Sequence, residues 1–568
     1  MLKEAIYHKS DSTYAYPLNE KRLCIKLRTK KNDLKRVTLC YGDRYEPVSP
    51  ITIFEKDMDL TYRDELFDYF EIIIEPDFNR ICYYFRLEDE NEVLIYSQRR
   101  FYETPPMDRN RYFMFSCICK GDLYEGHKWW TQSVFYQIFV DRFNKEKIDD
   151  NWFMDPTPER IFGGNLKGII DKLDYLEDLG VNCIYLTPIF ESKSNHKYDT
   201  LDYYKIDRGF GDEETFRELV EACHSRGIRV VLDAVFNHTS SNFFAFRDAI
   251  ERGKESPYFD WYFIKNRDEY KTFGYTKLMP KLNTASEGTK RYLLDIGRYW
   301  VEKYDIDGWR LDVANEIDHK FWRSFREEIK RVKSDAIIIG EVWDGAESYL
   351  QGDQFDSAMN YPFMYILLEY FAKGSIDLQK FDWEINNLFV RYRMDIRKNL
   401  LNLLDSHDTS RFLYECGNDV ERLKSAVFYM MTTIGIPMIF YGDEAGISGA
   451  NDPDCRRTMN FDNINYDLHS FYKKLIKIRR GSSALMEGEY RTVKVTDSLY
   501  AYRRVTEDEE VVCVFNNGDR EEEFILENCG KVVSELLSEA KYICDEGRLK
   551  LSTKPGDKYI FRCQPPEN

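Results

Sequence analysis

The sequence lacks a long unbroken hydrophobic run, an excess of positive charge and any paired cysteine spacing. The longest apolar stretch, Ala426 to Tyr441, is interrupted by Thr432, Thr433, Gly435 and Pro437. It reads as a buried helix followed by a strand, not a membrane span. The opening Met1-Leu2-Lys3-Glu4-Ala5-Ile6 has no apolar core, so no secretory signal is expected. Lysine and arginine number 81 against 99 aspartates and glutamates, a net charge of −18. That excludes nucleic acid and anionic membrane as partners, since phosphate binding needs a basic face. It fits a soluble protein acting on a neutral ligand. Thirteen cysteines, an odd number, are scattered through apolar segments such as those of Cys24, Cys40, Cys183 and Cys513. This predicts reduced, buried thiols in a cytoplasmic protein and no disulfide framework. Cys117-Ile118-Cys119 is too close for a redox or zinc pair and reads as a strand edge.

What the chain has in plenty is aromatic residues, 15% of the total with 41 Tyr and 38 Phe. Core packing accounts for most of them, and in sum they also suit a protein that stacks sugar rings. At 568 residues the chain exceeds one hydrophobic core. Residues 1–122 alternate with period two: Leu23, Ile25 and Leu27 against Cys24, Lys26 and Arg28, with further short strands to Tyr96. This predicts a β-sandwich of half-buried strands. Residues 123–485 alternate strand and helix instead, with Gly180 and Gly227 placed as helix stops. Expected strands are 134–140, 181–187, 229–236, 308–312, 336–341, 355–359, 399–404 and 437–440. Eight such units make an α/β fold, a (β/α)8 TIM barrel. The alternation fails at 239–288, predicting an inserted lobe after strand three that shapes the substrate site. Residues 486–568 return to short strands, a C-terminal β-sandwich.

Three of the barrel strands end in carboxylates: Gly308-Trp-Arg-Leu-Asp312, Ile337-Ile-Ile-Gly-Glu341, and Leu401-Asn-Leu-Leu-Asp-Ser-His-Asp408. A partly buried charge is unfavourable unless paired or hydrogen-bonded. Three at the C-terminal ends of barrel strands therefore predict a shared catalytic centre. Arg310 and Asp312, two apart on a strand, both point inward. The guanidinium is expected to keep Asp312 at low pKa, as a nucleophile. Glu341 has no cation nearby in sequence, and its apolar flanks are expected to raise its pKa, as a general acid. A carboxyl pair of opposed pKa is the machinery of glycoside cleavage.

Asp233-Ala-Val-Phe-Asn-His238, Gly308 to Glu316, Gly340-Glu-Val-Trp343 and Leu404-Asp-Ser-His407-Asp408 resemble, in order, the four signature regions of the α-amylase superfamily. Gly435 to Glu444 resembles its eighth-strand motif, and Asn195 to Tyr203 the loop after strand two. The resemblance implies Asp312 as nucleophile, Glu341 as acid/base and Asp408 as transition-state stabiliser. It implies substrate contacts from Tyr198, His238, Arg310, Trp343 and His407. Three of the eight histidines (196, 238 and 407) fall within these motifs. Met279-Pro-Lys-Leu-Asn283 and Val313-Ala-Asn-Glu316 resemble the neopullulanase, cyclomaltodextrinase and maltogenic amylase group. So does the amino-terminal sandwich, a domain that in that group often mediates homodimerisation and narrows the cleft toward short or cyclic maltodextrins. Two positions depart from the group. Its extra domain usually presents a Trp, but the first Trp here is Trp129, with Tyr45 the nearest substitute. Asp344 stands where His is common.

The resemblance implies a retaining hydrolase of α-1,4 bonds in maltodextrins, cyclodextrins, starch or pullulan, with no organic cofactor. A transglycosylase of the same superfamily is the rival, with Trp343 and Phe236 as aids to acceptor binding. A catalytically inactive glycan-binding homologue is the other. Asn144, Glu146, Asp149 and Asp150, with Gly164 and Asn165, form an oxygen-rich loop. It admits two readings, a Ca²⁺ site or a solvated acidic loop.

Overall fold

The computed structural model describes residues 1–124 and 126–563. The chain forms two compact units: Met1–Gly126 with Ile376–Arg397 and Arg491–Asp497, and His127–Ser375 with Lys398–Tyr490 and Ser498–Asn568.

In the first unit two antiparallel sheets form a sandwich. One is built on Leu23–Lys30 paired with Phe67–Ile74, the other on Arg36–Asp43 paired with Ile81–Glu88. Leu23, Ile25, Leu27, Leu39, Phe70 and Phe85 fill the space between them. The alternating partners are not half-exposed as the pattern predicts. Cys24 and Lys26 are buried because the same unit's helix Leu378–Val390 covers that face. Lys26 donates to Val390 O at 3.0 Å and pairs with Glu71 at 3.1 Å. Cys117 and Cys119 lie past the strand Phe113–Phe115, not on a strand edge.

In the second unit eight parallel strands form the barrel: β1 Phe135–Ile138, β2 Cys183–Leu186, β3 Arg229–Ala234, β4 Gly308–Leu311, β5 Ile337–Gly340, β6 Ser357–Ala358, β7 Leu401–Asn402 and β8 Ile436–Phe440. A parallel bridge between Met359 and Leu401 closes the ring. The first seven strands are shorter than expected, because residues past the paired core turn into the loops that carry the polar groups, while β8 begins one residue earlier. Before β2 run two helices, Leu166–Ile170 and Leu173–Leu179, the second ended as expected by Gly180, at φ 97°. The inserted lobe holds the helix Phe244–Arg252 and a small hairpin, Ile264–Asn266 with Glu269–Tyr270. The C-terminal strands Leu499–Val505, Glu510–Asn516, Lys558–Cys563, Val532–Glu535 and Lys541–Ile543 lie in that order in one sheet. Glu522–Leu526 and Leu549–Thr553 form a second.

Candidate active site

Strand register builds the centre of the site. Asp233 on β3 pairs directly with Arg310 on β4, which pairs with Ile339 on β5. Inward-facing Arg310 is fully buried, while Trp309 points out and donates its indole N–H to Gly297 O at 3.2 Å. Asp312 and Glu341 each stand one residue beyond their strand, where side chains turn from the barrel core into the cleft. One guanidinium then meets three carboxylates. Its Nη1 lies 2.9 Å from Asp233 Oδ2 and 3.0 Å from Asp312 Oδ1, and its Nη2 lies 2.6 Å from Glu341 Oε1.

The expected contrast in acidity is overturned. Burial first, and Glu341's charge next, raise Asp312 well above the usual carboxylate range despite Arg310. Burial also raises Glu341, which has the cation at 2.6 Å that its sequence neighbours do not reveal. Asp233, also raised by burial, to about 6, takes part in the same network. Two groups this close titrate as a pair.

Glu341 is held from two more sides. Its Oε2 accepts the Val313 N–H at 2.8 Å and its Oε1 accepts the Trp343 indole N–H at 3.3 Å. Val313 sits at φ 46°, an unfavourable conformation for a β-branched residue, and it directs that N–H at the carboxylate. Trp343 stacks on Tyr361 with ring centres 4.0 Å apart. Asp312 Oδ2 has no hydrogen-bond partner among the described residues. Asp408 Oδ1 accepts from Arg456 Nη2 at 3.2 Å, and its Oδ2 lies 3.0 Å from His407 Nε2. The Gln137 amide lies 2.9 Å from His407 Nδ1. Donation from it leaves the proton on Nε2, which reaches Tyr198 Oη at 2.7 Å. Burial, then the charges of Arg456 and Arg310, lower His407 well below 6.5, so it stays neutral. Tyr198 Oη in turn donates a hydrogen bond to Asp233 Oδ2 at 2.9 Å. His238, lowered to about 3 by burial, stacks on Phe273 of the lobe at 4.8 Å.

These groups open on one cavity of about 630 Å³, lined among others by His196, Tyr198, His238, Asp312, Glu341, Trp343 and Asp408. Arg310 and His407 stand directly beneath it through their bonds to Asp312 and Tyr198. Sequence reasoning did not single out Asp233, Gln137, Asp452, Arg456, Phe273 or Asn315 as site residues. Asp233 was legible as another strand-end carboxylate. Asn315 lies within the Val313–Glu316 string, whereas Phe273, Asp452 and Arg456 lie outside every motif read from the sequence. Phe236 does not reach the cleft: it is buried outside the barrel against Trp309 and Phe325. Asp344 is exposed and does not line the cavity.

Of the loop residues Asn144, Glu146, Asp149, Asp150, Gly164 and Asn165, three have side chains engaged in bonds within the protein. Asn165 Oδ1 caps the helix at Gly168 N, 2.8 Å, and the Asn144 amide donates to Gly168 O at 3.0 Å. Lys145 brings a positive ammonium to Asp149 and to Phe162 O, each at 2.9 Å. Among the described residues no group of three or more acidic, histidine or cysteine side chains could hold a metal ion.

Residues 137–474 match the family described as alpha amylase, catalytic domain, and residues 1–119 its N-terminal ig-like domain. The chain is 44% identical to a cyclomaltodextrinase of Thermoanaerobacter pseudethanolicus, over 99% of this chain and all of that one. It is 40% identical to a maltogenic alpha-amylase of Bacillus acidopullulyticus, over 99% and 100%. Among solved structures, a cyclomaltodextrinase superposes with a TM-score of 0.94 at 36% identity, covering 99% of this chain and all of the other. With these matches spanning both units and the strand-end carboxylates in one cavity, the chain belongs to the α-amylase family of glycoside hydrolases.

Proposed function

We propose that the protein is a retaining hydrolase of α-1,4-glucosidic bonds that acts on cyclodextrins and short maltodextrins. The observation that carries this is the convergence of Asp312, Glu341 and Asp408 on one cavity, two of them bridged by Arg310. The free oxygen of Asp312 attacks the anomeric carbon while Glu341 gives its proton to the leaving glycosidic oxygen. Burial, which raises both carboxyls, favours retention of that proton by the Asp312–Glu341 pair. Glu341 then takes a proton from water, which displaces Asp312 from the glycosyl ester; two inversions retain the α-configuration. Asp408, held by Arg456, faces the charge that develops on the sugar ring. Tyr198, His238 and Trp343 line the cavity as sugar contacts. No step needs an organic cofactor.

Transglycosylation, with a sugar in place of the water, is the second reading. The half-exposed Trp343 ring on the cavity wall favours it, and product analysis at high sugar concentration separates the two. The preference for cyclodextrin rests on the named relatives and on the ig-like amino-terminal domain, through which a homodimer would form. A cytoplasmic location accords with the thirteen free thiols.

Initial rates on β-cyclodextrin and soluble starch test the reading, with Asp312→Asn as control. The faster rate is expected on β-cyclodextrin, and the variant should lose about 10⁴-fold or more in kcat. A faster rate on starch would overturn the substrate preference. Near wild-type turnover in the variant would overturn the assignment of Asp312.

A further inference from the structure

Thirteen thiols are distributed over the chain, and two of them are not separate. Cys529 Sγ and Cys544 Sγ lie 2.7 Å apart in the C-terminal strands. A bonded sulfur pair sits at about 2.05 Å, so little movement divides the two states.

The backbone sets up this contact. Val532–Glu535 and Lys541–Ile543 pair antiparallel, with Val532 opposite Ile543, and Cys544 N continues the ladder to Lys531 O at 3.0 Å. Ahead of the ladder the chain folds back on itself. Asn528 at φ 57° and Gly530 at φ 69° flank Cys529 with left-handed turns, and Cys529 N bonds Gly547 O at 3.0 Å. Both sulfurs then face the same apolar core as Leu526, Val533, Leu549 and Phe561. Two left-handed residues thus turn Cys529 onto the Cys544 sulfur, a placement more specific than core filling requires.

We propose that Cys529 and Cys544 form a modification site, oxidising to an intramolecular disulfide when the protein meets a low-molecular-weight disulfide such as oxidised glutathione. Cys544, a residue 8% exposed against 0% for Cys529, is the nearer of the two to the surface and is assigned the first reaction. Its thiolate attacks one glutathione sulfur, forming a mixed disulfide and releasing one glutathione thiolate. Cys529 then loses its proton and attacks the Cys544 sulfur, expelling the second glutathione. Two thiols are oxidised and one glutathione disulfide is reduced to two thiols, so protons and electrons balance. Burial first, then the Cys544 sulfur, push the Cys529 thiol up to about 12, which makes it the second partner to react. The bond would close a loop across the 15-residue separation and tie Cys529 to the strand pair. No residue of the catalytic cavity is touched.

Peptide mapping of the full chain tests this. The protein is incubated with oxidised glutathione, denatured, and alkylated with N-ethylmaleimide before digestion. The expected result is loss of two of the thirteen alkylatable thiols, a linked peptide joining Cys529 and Cys544, and full recovery after dithiothreitol. Oxidation should raise the melting temperature of wild type and leave Cys529→Ser and Cys544→Ser unmoved, with hydrolysis unchanged. Full alkylation of all thirteen would overturn the proposal. So would a glutathione adduct that persists on Cys544, or a link that maps to Cys117 and exposed Cys119.

Discussion

Arg310 explains why three acidic side chains can share one buried site. A lone carboxylate in that position would be neutral, and three without a cation would not coexist. The reading of Asp312 as the acidic partner and Glu341 as the isolated one came from neighbours along the chain. Across the barrel the same guanidinium touches both, and no linear pattern displays that contact. Trp343 gives a direct handle on the acid/base. Its indole N–H on Oε1 favours the ionised form of Glu341. Trp343→Phe removes that bond, so the Glu341 pKa rises, and the alkaline limb of kcat/KM, where activity is lost as Glu341 loses its proton, moves to higher pH. A pH–rate profile on a short maltodextrin checks the shift. An alkaline limb moved downward would contradict the role assigned to the bond.

At the scale of elements, the barrel was legible because its strands are buried on both faces and read as apolar runs between helix stops. Strand ends were less so. Pairing stops at Gly340 and Leu311, and the following residue is the functional one. The covered face of Leu23–Lys30 was illegible, since its cover, Leu378–Val390, lies over 300 residues away in sequence. The lobe showed as a break in alternation and, at Met279-Pro-Lys-Leu-Asn283, as a resemblance to the neopullulanase group, and neither placed Phe273 or Met279 in the cavity. Glycine at 340 has a specific cause. A Cβ there would stand 2.4 Å from the Phe355 ring, so the strand that carries Glu341 packs close only without one. Gly340→Ala should lower stability by about 1–3 kcal/mol and reduce kcat by displacing Glu341. Denaturant melts and steady-state rates measure both, and a variant with unchanged kcat would show that Glu341 does not depend on this packing.

For the whole molecule, acid stability depends on a histidine far from the cleft in sequence. His8 is buried, its Nδ1 at 2.7 Å from Lys26 O and its Nε2 at 2.9 Å from Tyr83 Oη, with Phe85 and Phe113 edge-on to the ring. Nδ1–H donates to the carbonyl, so Nε2 accepts and the ring is neutral. Burial lowers its pKa to about 3, from the 6.5 of an ordinary histidine. Between those values the unfolded chain binds a proton that the folded chain does not. Its contribution is therefore complete above pH 6.5 and is lost progressively as pH falls toward 3. His8→Gln should lose less stability than wild type between pH 7 and 4.5, by about 2 kcal/mol, as read by urea unfolding at both pH values. Equal losses would place the acid sensitivity elsewhere.

The central claim is that Asp312 is the group that bonds to the sugar. The most direct measurement traps that bond: reaction with a 5-fluoro-α-glucosyl fluoride, quenching in acid, and mass spectrometry of the peptides. The account predicts a hexosyl adduct on the peptide carrying Asp312, at that residue, and none in Asp312→Asn. An adduct on Glu341 or Asp408, or no adduct while the reagent blocks turnover, would contradict it.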